Sequence, residues 1–288
     1  MTPTDSPTSM TDRLQRFPCQ VAAVAGGQVA YRQAGTRQIT HVLLHGIGSG
    51  SGSWLMQIEA AQASQGAGLL AWDAPGYGAS SAVLPAHPDA GDYASKLWAW
   101  LDAMGVVHPV TLVGHSLGAL MVARAAVQRP ARVAGLVLLA PAQGYARASA
   151  AERDKKLNDR LSQLAALGPH GVGQKRGAGM LSPQAAPDLV AYVQAVMAQI
   201  QPAGYTQAAH LLSGGDLLAD LAQMRCPVVV GSGQLDTATP PAACQAVAQA
   251  VGSPWADLGA VGHACALEAF EAVNPLLKLN PENKEASA

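Results

Sequence analysis

The pentapeptide Gly114-His-Ser-Leu-Gly118 contains a serine whose setting could make it a nucleophile. An apolar run at residues 110–113 precedes it, and an apolar segment typical of a buried helix, residues 117–128, follows it. A strand, the pattern G-x-S-x-G and a helix together predict a tight turn that presents the serine hydroxyl outward. The two glycines remove the Cβ atoms that would clash where strand and helix meet. Ser116 is therefore the candidate nucleophile.

A serine hydroxyl is a weak nucleophile at neutral pH and needs a histidine to take its proton and a carboxylate to orient that histidine. Asp236 follows the apolar run at residues 227–231, and His263 follows the short run at residues 255–258. Both side chains thus come after later predicted strands, where loops can bring them to the serine. Ser116, Asp236 and His263 form the predicted catalytic triad.

The other histidines and carboxylates are poorer candidates for these roles. Asp220 lies in a polar helical segment and Asp257 lies within a strand, while no acid directly follows the apolar run at residues 132–139. The remaining histidines fall within a strand, in the glycine motifs, in turns or in a region that resembles a mobile lid: His41, His45, His87, His108, His115, His170 and His210. None combines a strand end with the required place in the chain.

Acyl transfer also requires hydrogen-bond donors for the developing oxyanion. The backbone N–H after the nucleophile, that of Leu117, is one expected donor, and the second comes from the loop after an earlier strand. In His45-Gly-Ile-Gly48 the glycines flank Ile47 and allow its N–H to turn inward. We expect Ile47 and Leu117 to form the oxyanion hole, with Gly48 as the alternative to Ile47.

Two further motifs could suggest a binding site for a ligand. The glycine-rich loop at residues 46–53 follows a strand, but it lacks the Lys-Ser/Thr of a phosphate-binding loop and the second strand and acidic residue of a dinucleotide site. Asp73 opens Asp-Ala-Pro-Gly-Tyr-Gly-Ala-Ser80, where a carboxylate can accept backbone N–H groups and hold a turn together. Neither motif predicts a cofactor site.

The composition excludes several classes of function. The chain has 288 residues, 49% of them hydrophobic, and its net charge is −1, with 18 basic and 19 acidic residues. This balance favours neither nucleic acid nor an anionic membrane surface as a partner. Four scattered cysteines form no C-x-x-C pattern, so we expect reduced thiols in a cytoplasmic protein and no metal site. No basic region followed by an apolar stretch opens the chain, so we expect no signal peptide.

Apolar runs typical of strands alternate with helical segments through most of the chain. The predicted strands lie at residues 21–24, 28–31, 40–45, 68–72, 110–113, 132–139, 227–231 and 255–258. The predicted helices between and after them lie at 54–64, 93–104, 117–128, 242–251 and from just after His263 to about 277. This alternation predicts a mostly parallel sheet with helices on both faces, whose strand ends gather the reacting groups.

Residues 142–221 interrupt this alternation and contain no convincing strand. Helices are predicted at 151–167, 187–200 and 215–224, with the glycine-rich residues 168–179 as a connection. We therefore expect a core formed by residues 21–141 and 222–279 and a helical cap formed by residues 142–221. Residues 1–20 are expected to be a disordered or loosely ordered tail, and residues 280–288 a polar tail.

Together these motifs resemble those of the α/β-hydrolase superfamily from about residue 21 to residue 277. The resemblance is carried by His45-Gly-Ile-Gly48, Asp73-Ala-Pro-Gly-Tyr-Gly-Ala-Ser80, Gly114-His-Ser-Leu-Gly118, Gly233-Gln-Leu-Asp236 and Gly262-His263. The chain order Ser, Asp, His is also that of the superfamily. The resemblance implies an α/β-hydrolase fold, with an eight-stranded, mostly parallel sheet and a helical cap inserted after the sixth strand. It assigns the nucleophile to Ser116, the acid to Asp236 and the base to His263.

The subfamily is less sharply indicated. Haloalkane dehalogenases and epoxide hydrolases have an aspartate as nucleophile, which Ser116 does not match. The motif at Asp73, the compact cap and Leu235-Asp-Thr-Ala-Thr-Pro-Pro241 look most like the 3-oxoadipate enol-lactonase group. Carbon–carbon hydrolases of aromatic ring-cleavage products are also similar. They often have Gly-Gly-Gly-Pro-Gly where this chain has Gly46-Ile-Gly-Ser-Gly50.

The expected function is that of a serine hydrolase of small carboxylic esters or (enol-)lactones, which acts through an acyl-enzyme without metal or cofactor. Two alternatives stay open: a carbon–carbon bond hydrolase, and a non-catalytic hydrolase fold that binds a ligand. The expected partner is a small-molecule substrate, and the chain is expected to be a monomer or homodimer. The substrate itself is left open.

Several cap residues could contribute to a pocket. Met180 and Met197 indicate a hydrophobic pocket or, equally, core packing of the cap. His170, Lys175 and Arg176 could bind a carboxylate of the substrate, although we favour solvated positions on the cap as the explanation.

Overall fold

The computed structural model describes residues 9–35, 38–64 and 67–279. The strands within these residues are β1 (Gln20–Val24), β2 (Gly27–Ala34), β3 (Ile39–Leu44), β4 (Gly68–Trp72), β5 (Val110–His115), β6 (Val133–Leu139), β7 (Val228–Ser232) and β8 (Trp255–Asp257). The helices are α1 (Met10–Gln15), α2 (Leu55–Ala63), α3 (Ala90–Ala103), α4 (Gly118–Gln128), α5 (Ala150–Gly177), α6 (Pro187–Met197), α7 (Pro202–Gly214), α8 (Leu217–Leu221), α9 (Pro241–Ala250), α10 (Cys265–Glu268) and α11 (Phe270–Leu276). No helix in these ranges is long and apolar enough to cross a membrane.

One sheet contains all eight strands, in the order β1-β2-β4-β3-β5-β6-β7-β8. Strand β2 is antiparallel to β1 and β4, and every other neighbouring pair is parallel. The predicted eight-stranded, mostly parallel sheet is confirmed. In the register of the central strands Leu44 lies opposite Gly114, and Gly114 lies opposite Leu138. The carboxyl ends of β3, β5 and β6 therefore meet at one edge, from which the glycine loop and the serine turn emerge.

The central strands are buried on both faces because helices cover the sheet on each side. Along β3, Val42 and Leu44 pack into the core that lies against α3 and α4. Leu43, between them, points to the opposite core, where α2 and α11 pack. Successive side chains of a strand face opposite sides, so a continuous apolar run is what such a strand requires. Each fully buried side chain of this size contributes about 1.5–3 kcal/mol to the free energy of folding.

Residues 10–15, which sequence analysis assigns to a disordered or loosely ordered tail, form helix α1. Ser9 caps it by accepting a hydrogen bond from the backbone N–H of Asp12. Met10 is buried against the cluster that contains Leu55, and Arg13 Nε donates to Glu59 Oε1 at 3.0 Å. These contacts correct the expectation for this part of the segment. Residues 1–8 and 280–288, the rest of the expected N-terminal tail and the expected C-terminal tail, lie outside the described residues.

Residues 142–221 contain helices α5 to α8 and no strand. Helix α5 spans 28 residues and changes direction at Gly168, whose φ of 63° lies in the left-handed region. The glycine-rich segment predicted as a connection is therefore helical from Pro169 to Gly177. The prediction was wrong for this segment because glycine and proline usually end a helix.

The glycines of this segment allow two helices to approach closely. A Cβ atom at Gly173 would lie 2.8 Å from the backbone oxygen of Gln194 and 2.8 Å from the backbone nitrogen of Ala198. At Gly177 it would lie 2.6 Å from Gln194 Cγ. These positions face α6, so their lack of a side chain serves the packing of α5 on α6.

Two further helices differ from the sequence prediction. Helix α7 was not predicted; it begins with Pro202-Ala-Gly, which is typical of a loop. Gly204 is required there because a Cβ atom would lie 2.0 Å from the carbonyl oxygen of Gly76. The predicted last helix is divided into α10 and α11 at Ala269, whose backbone is not helical.

The contact between α5 and α6 can be tested with the substitution Gly173→Ala. The added Cβ must displace backbone atoms of α6, so we expect a loss of about 1–3 kcal/mol in the free energy of unfolding. Gly179→Ala is the matched control because its Cβ would meet no atom within 4 Å. Its effect should stay within about 0.5 kcal/mol. Urea unfolding followed by circular dichroism measures both, and equal stability of the two variants would contradict the assigned contact.

Candidate active site

Ser116 lies in the turn between β5 and α4 with a φ of 52°, in the left-handed region that a residue with a side chain rarely adopts. Its N–H donates to the Leu139 carbonyl at 3.0 Å, and its carbonyl accepts from Ala119 N at 3.0 Å. A Cβ atom at Gly118 would lie 2.2 Å from the Leu44 carbonyl oxygen. The sharp turn predicted from the pentapeptide is therefore present, and its second glycine is required by close packing on β3.

Asp236 and His263 are hydrogen-bonded to each other, with 2.8 Å between His263 Nδ1 and Asp236 Oδ2. The carboxylate also accepts from the backbone N–H groups of Ala238 at 2.8 Å and Thr239 at 2.9 Å. The Thr239 hydroxyl lies 2.7 Å from Asp236 Oδ2. Because a carboxylate accepts, Nδ1 of His263 carries a proton, which leaves Nε2 as the ring nitrogen able to accept one.

The charge of Asp236 is stabilised despite burial. Burial raises the pKa of this carboxyl, but the hydrogen bond and charge of His263 and the bonds from Thr239 outweigh it and hold the pKa below the ordinary 3.8. The residue is only 3% exposed. Asp236 is therefore ionised at neutral pH and able to orient His263.

Ser116 and His263 line one cavity of about 330 Å³. Within the described residues no hydrogen bond joins their side chains. Such bonds between a nucleophile and its base often tighten only when a substrate is bound. The structure thus brings the three predicted catalytic residues to one site, with Asp236 behind His263 and away from the cavity.

The two expected oxyanion donors are unpaired. Among the described residues, the backbone N–H groups of Ile47 and Leu117 have no acceptor. The alternative donor, Gly48 N, instead donates to the Tyr77 hydroxyl at 3.2 Å. Ile47 lines the cavity beside Ser116. The geometry therefore favours Ile47 over Gly48 for this role.

His45 and Asp73 hold the glycine loop in place. His45 Nδ1–H donates to the Gly46 carbonyl at 2.8 Å, and its Nε2 accepts from Ala74 N at 2.9 Å. Burial lowers the pKa of His45, so the ring stays neutral and can donate one hydrogen bond and accept the other. Asp73 Oδ1 accepts from Ser51 N at 2.7 Å. The aspartate is structural, as predicted, but it ties its turn to the neighbouring glycine loop.

His115, the residue before the nucleophile, contacts the candidate base. Its Nε2 lies 2.8 Å from the His263 carbonyl oxygen, so the ring donates a hydrogen bond there, and the two ring centroids are 4.8 Å apart. Burial and the adjacent His263 lower the pKa of His115 to about 3. The neutral ring thus anchors the backbone that carries His263.

The described residues contain no group of three or more His, Cys, Asp or Glu side chains that could hold a metal ion. The two histidines next to the site, His45 and His115, already bond to backbone groups. We therefore identify no cofactor or metal ligands here.

Residues 142–221 form one wall of the cavity. Met180 and Met197 both line it, in agreement with the apolar pocket considered from the sequence. Of the three candidates for carboxylate binding, only Arg176 lines the cavity, whereas His170 and Lys175 do not. Arg160 lines it too and was missed, because one arginine in a helix rich in charged residues gives no pattern to recognise.

A family model described as "Alpha/beta hydrolase family" matches residues 42–276 of this chain. RutD of Klebsiella pneumoniae (strain 342), which is named as a carbamate hydrolase, is 39% identical over 98 residues, or 34% of this chain. A 2-hydroxy-6-oxononadienedioate/2-hydroxy-6-oxononatrienedioate hydrolase of Paraburkholderia phymatum is 32% identical over 119 residues, or 41% of this chain. The matches span only 36% and 41% of the length of these relatives.

Solved structures match over a larger part of the chain. The enol-lactonase from Burkholderia xenovorans LB400 aligns with a TM-score of 0.78 and 19% identity, and covers 90% of this chain and 99% of its own. A thermophilic esterase from Thermogutta terrifontis aligns with a TM-score of 0.77 and 20% identity, and the alignment covers 91% of this chain and 97% of the esterase. At this identity the similarity shows the fold alone.

The lowered pKa of His115 predicts how stability depends on pH. The unfolded chain binds a proton at His115 below pH 6.5, whereas the folded protein does so only near pH 3. The stability therefore falls as the pH decreases through this window. From this one group we expect the free energy of unfolding to be about 1–2 kcal/mol lower at pH 5.0 than at pH 7.5.

His115→Gln should reduce this fall, as measured by urea unfolding at the two pH values. The fall should not vanish, because burial also lowers the pKa of His41, to about 4. His170→Gln, at an exposed position of α5, is the control and should leave the pH dependence unchanged. The same fall in His115→Gln and in the wild type would show that His115 is not held neutral in the folded state.

Proposed function

This chain belongs to the alpha/beta hydrolase family, and we propose that it is a serine hydrolase of small carboxylic esters or lactones with Ser116, Asp236 and His263 as catalytic triad. The observation that carries the proposal is the bond between His263 and Asp236 at the cavity that Ser116 lines. The strained backbone of Ser116 supports it, because such strain is concentrated at functional sites.

In the proposed mechanism His263 acts first as a base. Its Nε2 accepts the proton of the Ser116 hydroxyl while the serine oxygen attacks the carbonyl carbon of the ester. Asp236 stabilises the imidazolium that forms. The proton then passes from Nε2 to the departing alkoxide, the carbon–oxygen bond breaks, and an acyl-enzyme remains on Ser116. For a lactone the alkoxide stays attached to the acyl group.

A water molecule completes the proposed cycle. His263 takes one proton from it, the hydroxide attacks the acyl-enzyme, and the proton returns to the serine oxygen as the acid is released. The negative oxygen of both tetrahedral intermediates would accept hydrogen bonds from the N–H groups of Ile47 and Leu117. The lack of other acceptors for these donors supports this role. One such donor contributes roughly 3 kcal/mol to stabilisation of the transition state.

The organisation of the molecule supports a small-molecule substrate. We propose that residues 142–221 act as a cap over the core, because their side chains cover the catalytic residues from one side of the cavity. All four cysteines are free thiols, which supports a reducing, cytoplasmic location. A monomer or a homodimer is compatible with this arrangement.

A carbon–carbon bond hydrolase is the second candidate function. It is favoured by the partial similarity to the 2-hydroxy-6-oxononadienedioate/2-hydroxy-6-oxononatrienedioate hydrolase, which is 32% identical over 119 residues. Parallel assays of an enol-lactone and a vinylogous 1,5-diketone separate the two candidates. Faster turnover of the diketone would replace the ester and lactone assignment.

Substitution of the candidate nucleophile tests the proposed function directly. Ser116→Ala removes the attacking oxygen, so we expect kcat for a short p-nitrophenyl ester to fall roughly 1,000-fold or more. Circular dichroism should show an unchanged fold. Undiminished turnover by this variant would refute the serine mechanism.

A fluorophosphonate probe gives a second measurement on the same variants. It should label the wild type and not Ser116→Ala. Ser49→Ala is the matched control, since Ser49 is another serine that lines the cavity but has no proposed part in the reaction. The probe should still label this control. Loss of labelling in Ser49→Ala would indicate that Ser49, and not Ser116, carries the reactive hydroxyl.

A further inference from the structure

Two arginines of helix α5 line the proposed catalytic cavity. Arg160 lies before the change of direction at Gly168, and Arg176 lies after it. The helix kinks at Gly168, and the arginines on the two sides of this kink line the same cavity. The fold thus concentrates two positive charges at one cavity.

The guanidinium of Arg160 is incompletely satisfied. Its Nη1 atom is buried and has no hydrogen-bond partner. Within the described residues neither Arg160 nor Arg176 forms an ion pair. A buried charged donor without an acceptor is costly and is rarely kept in a folded protein without a reason. An acceptor supplied by a bound molecule would remove this cost.

No carboxylate among the described residues compensates for these charges at the cavity, since no Asp or Glu lines it. The carboxylate of Asp236 is turned away and accepts bonds from His263, Ala238 and Thr239. Arg176 Nη1 donates to the neutral hydroxyl of Tyr205 at 3.1 Å. The cavity therefore carries a net positive charge that an anionic ligand would neutralise.

The position of Arg160 relates it to the reaction centre. Leu164, one turn after Arg160 on α5, belongs to a cluster of buried side chains that packs against Ile47, the proposed oxyanion donor. A group bound by Arg160 would thus lie on the side of the cavity formed by the glycine loop.

We propose that Arg160, assisted by the charge of Arg176, binds a carboxylate of the substrate. The substrate class is then an ester or lactone that bears a second, ionised carboxyl group, such as a monoester of a short dicarboxylic acid. The planar fork of a guanidinium matches a carboxylate with two parallel hydrogen bonds. This inference rests on the proposed function of the site, whose residues it leaves unchanged.

Two esters that differ only in charge test the substrate class: 4-nitrophenyl hydrogen glutarate and 4-nitrophenyl methyl glutarate. The wild type should hydrolyse the anionic ester with the higher kcat/KM. In Arg160→Gln the ratio of kcat/KM for the anionic to the neutral ester should fall about 10- to 100-fold, as expected for loss of a hydrogen bond between charged groups. A ratio changed less than about twofold relative to the wild type, within the scatter of neutral surface substitutions, would overturn the proposal.

Lys156→Gln is the matched control because Lys156 is an exposed cation one turn earlier on the same helix and does not line the cavity. This substitution also removes one positive charge, and it should preserve the ratio of kcat/KM for the anionic to the neutral ester. If Arg160→Gln does not fold, the wild type still provides a test. Its kcat/KM for the anionic ester should fall with rising salt more steeply than that for the neutral ester, and equal salt dependence would contradict the proposal.

A binding measurement separates failure of this inference from failure of the proposed function. Calorimetry of the Ser116→Ala variant should detect monomethyl glutarate but not dimethyl glutarate, and adding Arg160→Gln should weaken that binding about 10- to 100-fold. Arginine-dependent binding without hydrolysis by the wild type would uphold the carboxylate site and refute the hydrolase. Ester hydrolysis by the wild type without charge-selective binding would refute the carboxylate site alone.

Discussion

The left-handed backbone of Ser116 exists because chain segments from β3, β5 and α4 meet there with almost no space between them. A Cβ atom at Gly114 would lie 2.6 Å from the Gly118 carbonyl oxygen, and one at Gly46 would lie 2.9 Å from Ser116 Cβ. Such a backbone costs of order 1–3 kcal/mol and persists only where its surroundings determine it. Here the surroundings are the buried strands β3, β5 and β6, whose core packing greatly exceeds that cost.

The same strand ends fix the groups around the serine. The bond from Ser116 N to Leu139 O extends the pairing of β5 with β6, and Ala142 N donates to the Ser116 carbonyl at 3.1 Å, so the chain that enters the helical insertion is tied to the nucleophile turn. The bond from His115 to the His263 carbonyl joins that turn to the loop of the candidate base. The rigid sheet therefore holds in place side chains that are distant in sequence, and a preorganised site requires this.

The sequence predicted the sheet and the candidate triad because both depend on local chemistry. Buried parallel strands require unbroken apolar runs, and the serine turn requires small residues at defined spacing. Helix α7 and the second part of α5 were not predicted. Their glycines serve contacts with Gly76 and with α6, and a contact with a distant segment leaves no local pattern. Arg160 was not predicted either, since its place at the cavity depends on how α5 packs on the core and leaves no local pattern in the sequence.

The residues proposed for catalysis and the arginine proposed for substrate selection lie on different parts of the fold. The carboxylate of Asp236 lies behind the cavity, where it accepts hydrogen bonds from its own loop and from His263. The guanidinium of Arg160 has no such partner and acts on the cavity itself. Electrostatic forces are stronger in a site enclosed by apolar side chains than in water. A change in the insertion can therefore alter the charge that the cavity prefers without disturbing the strands that hold the serine, and this arrangement allows one fold to act on many substrates.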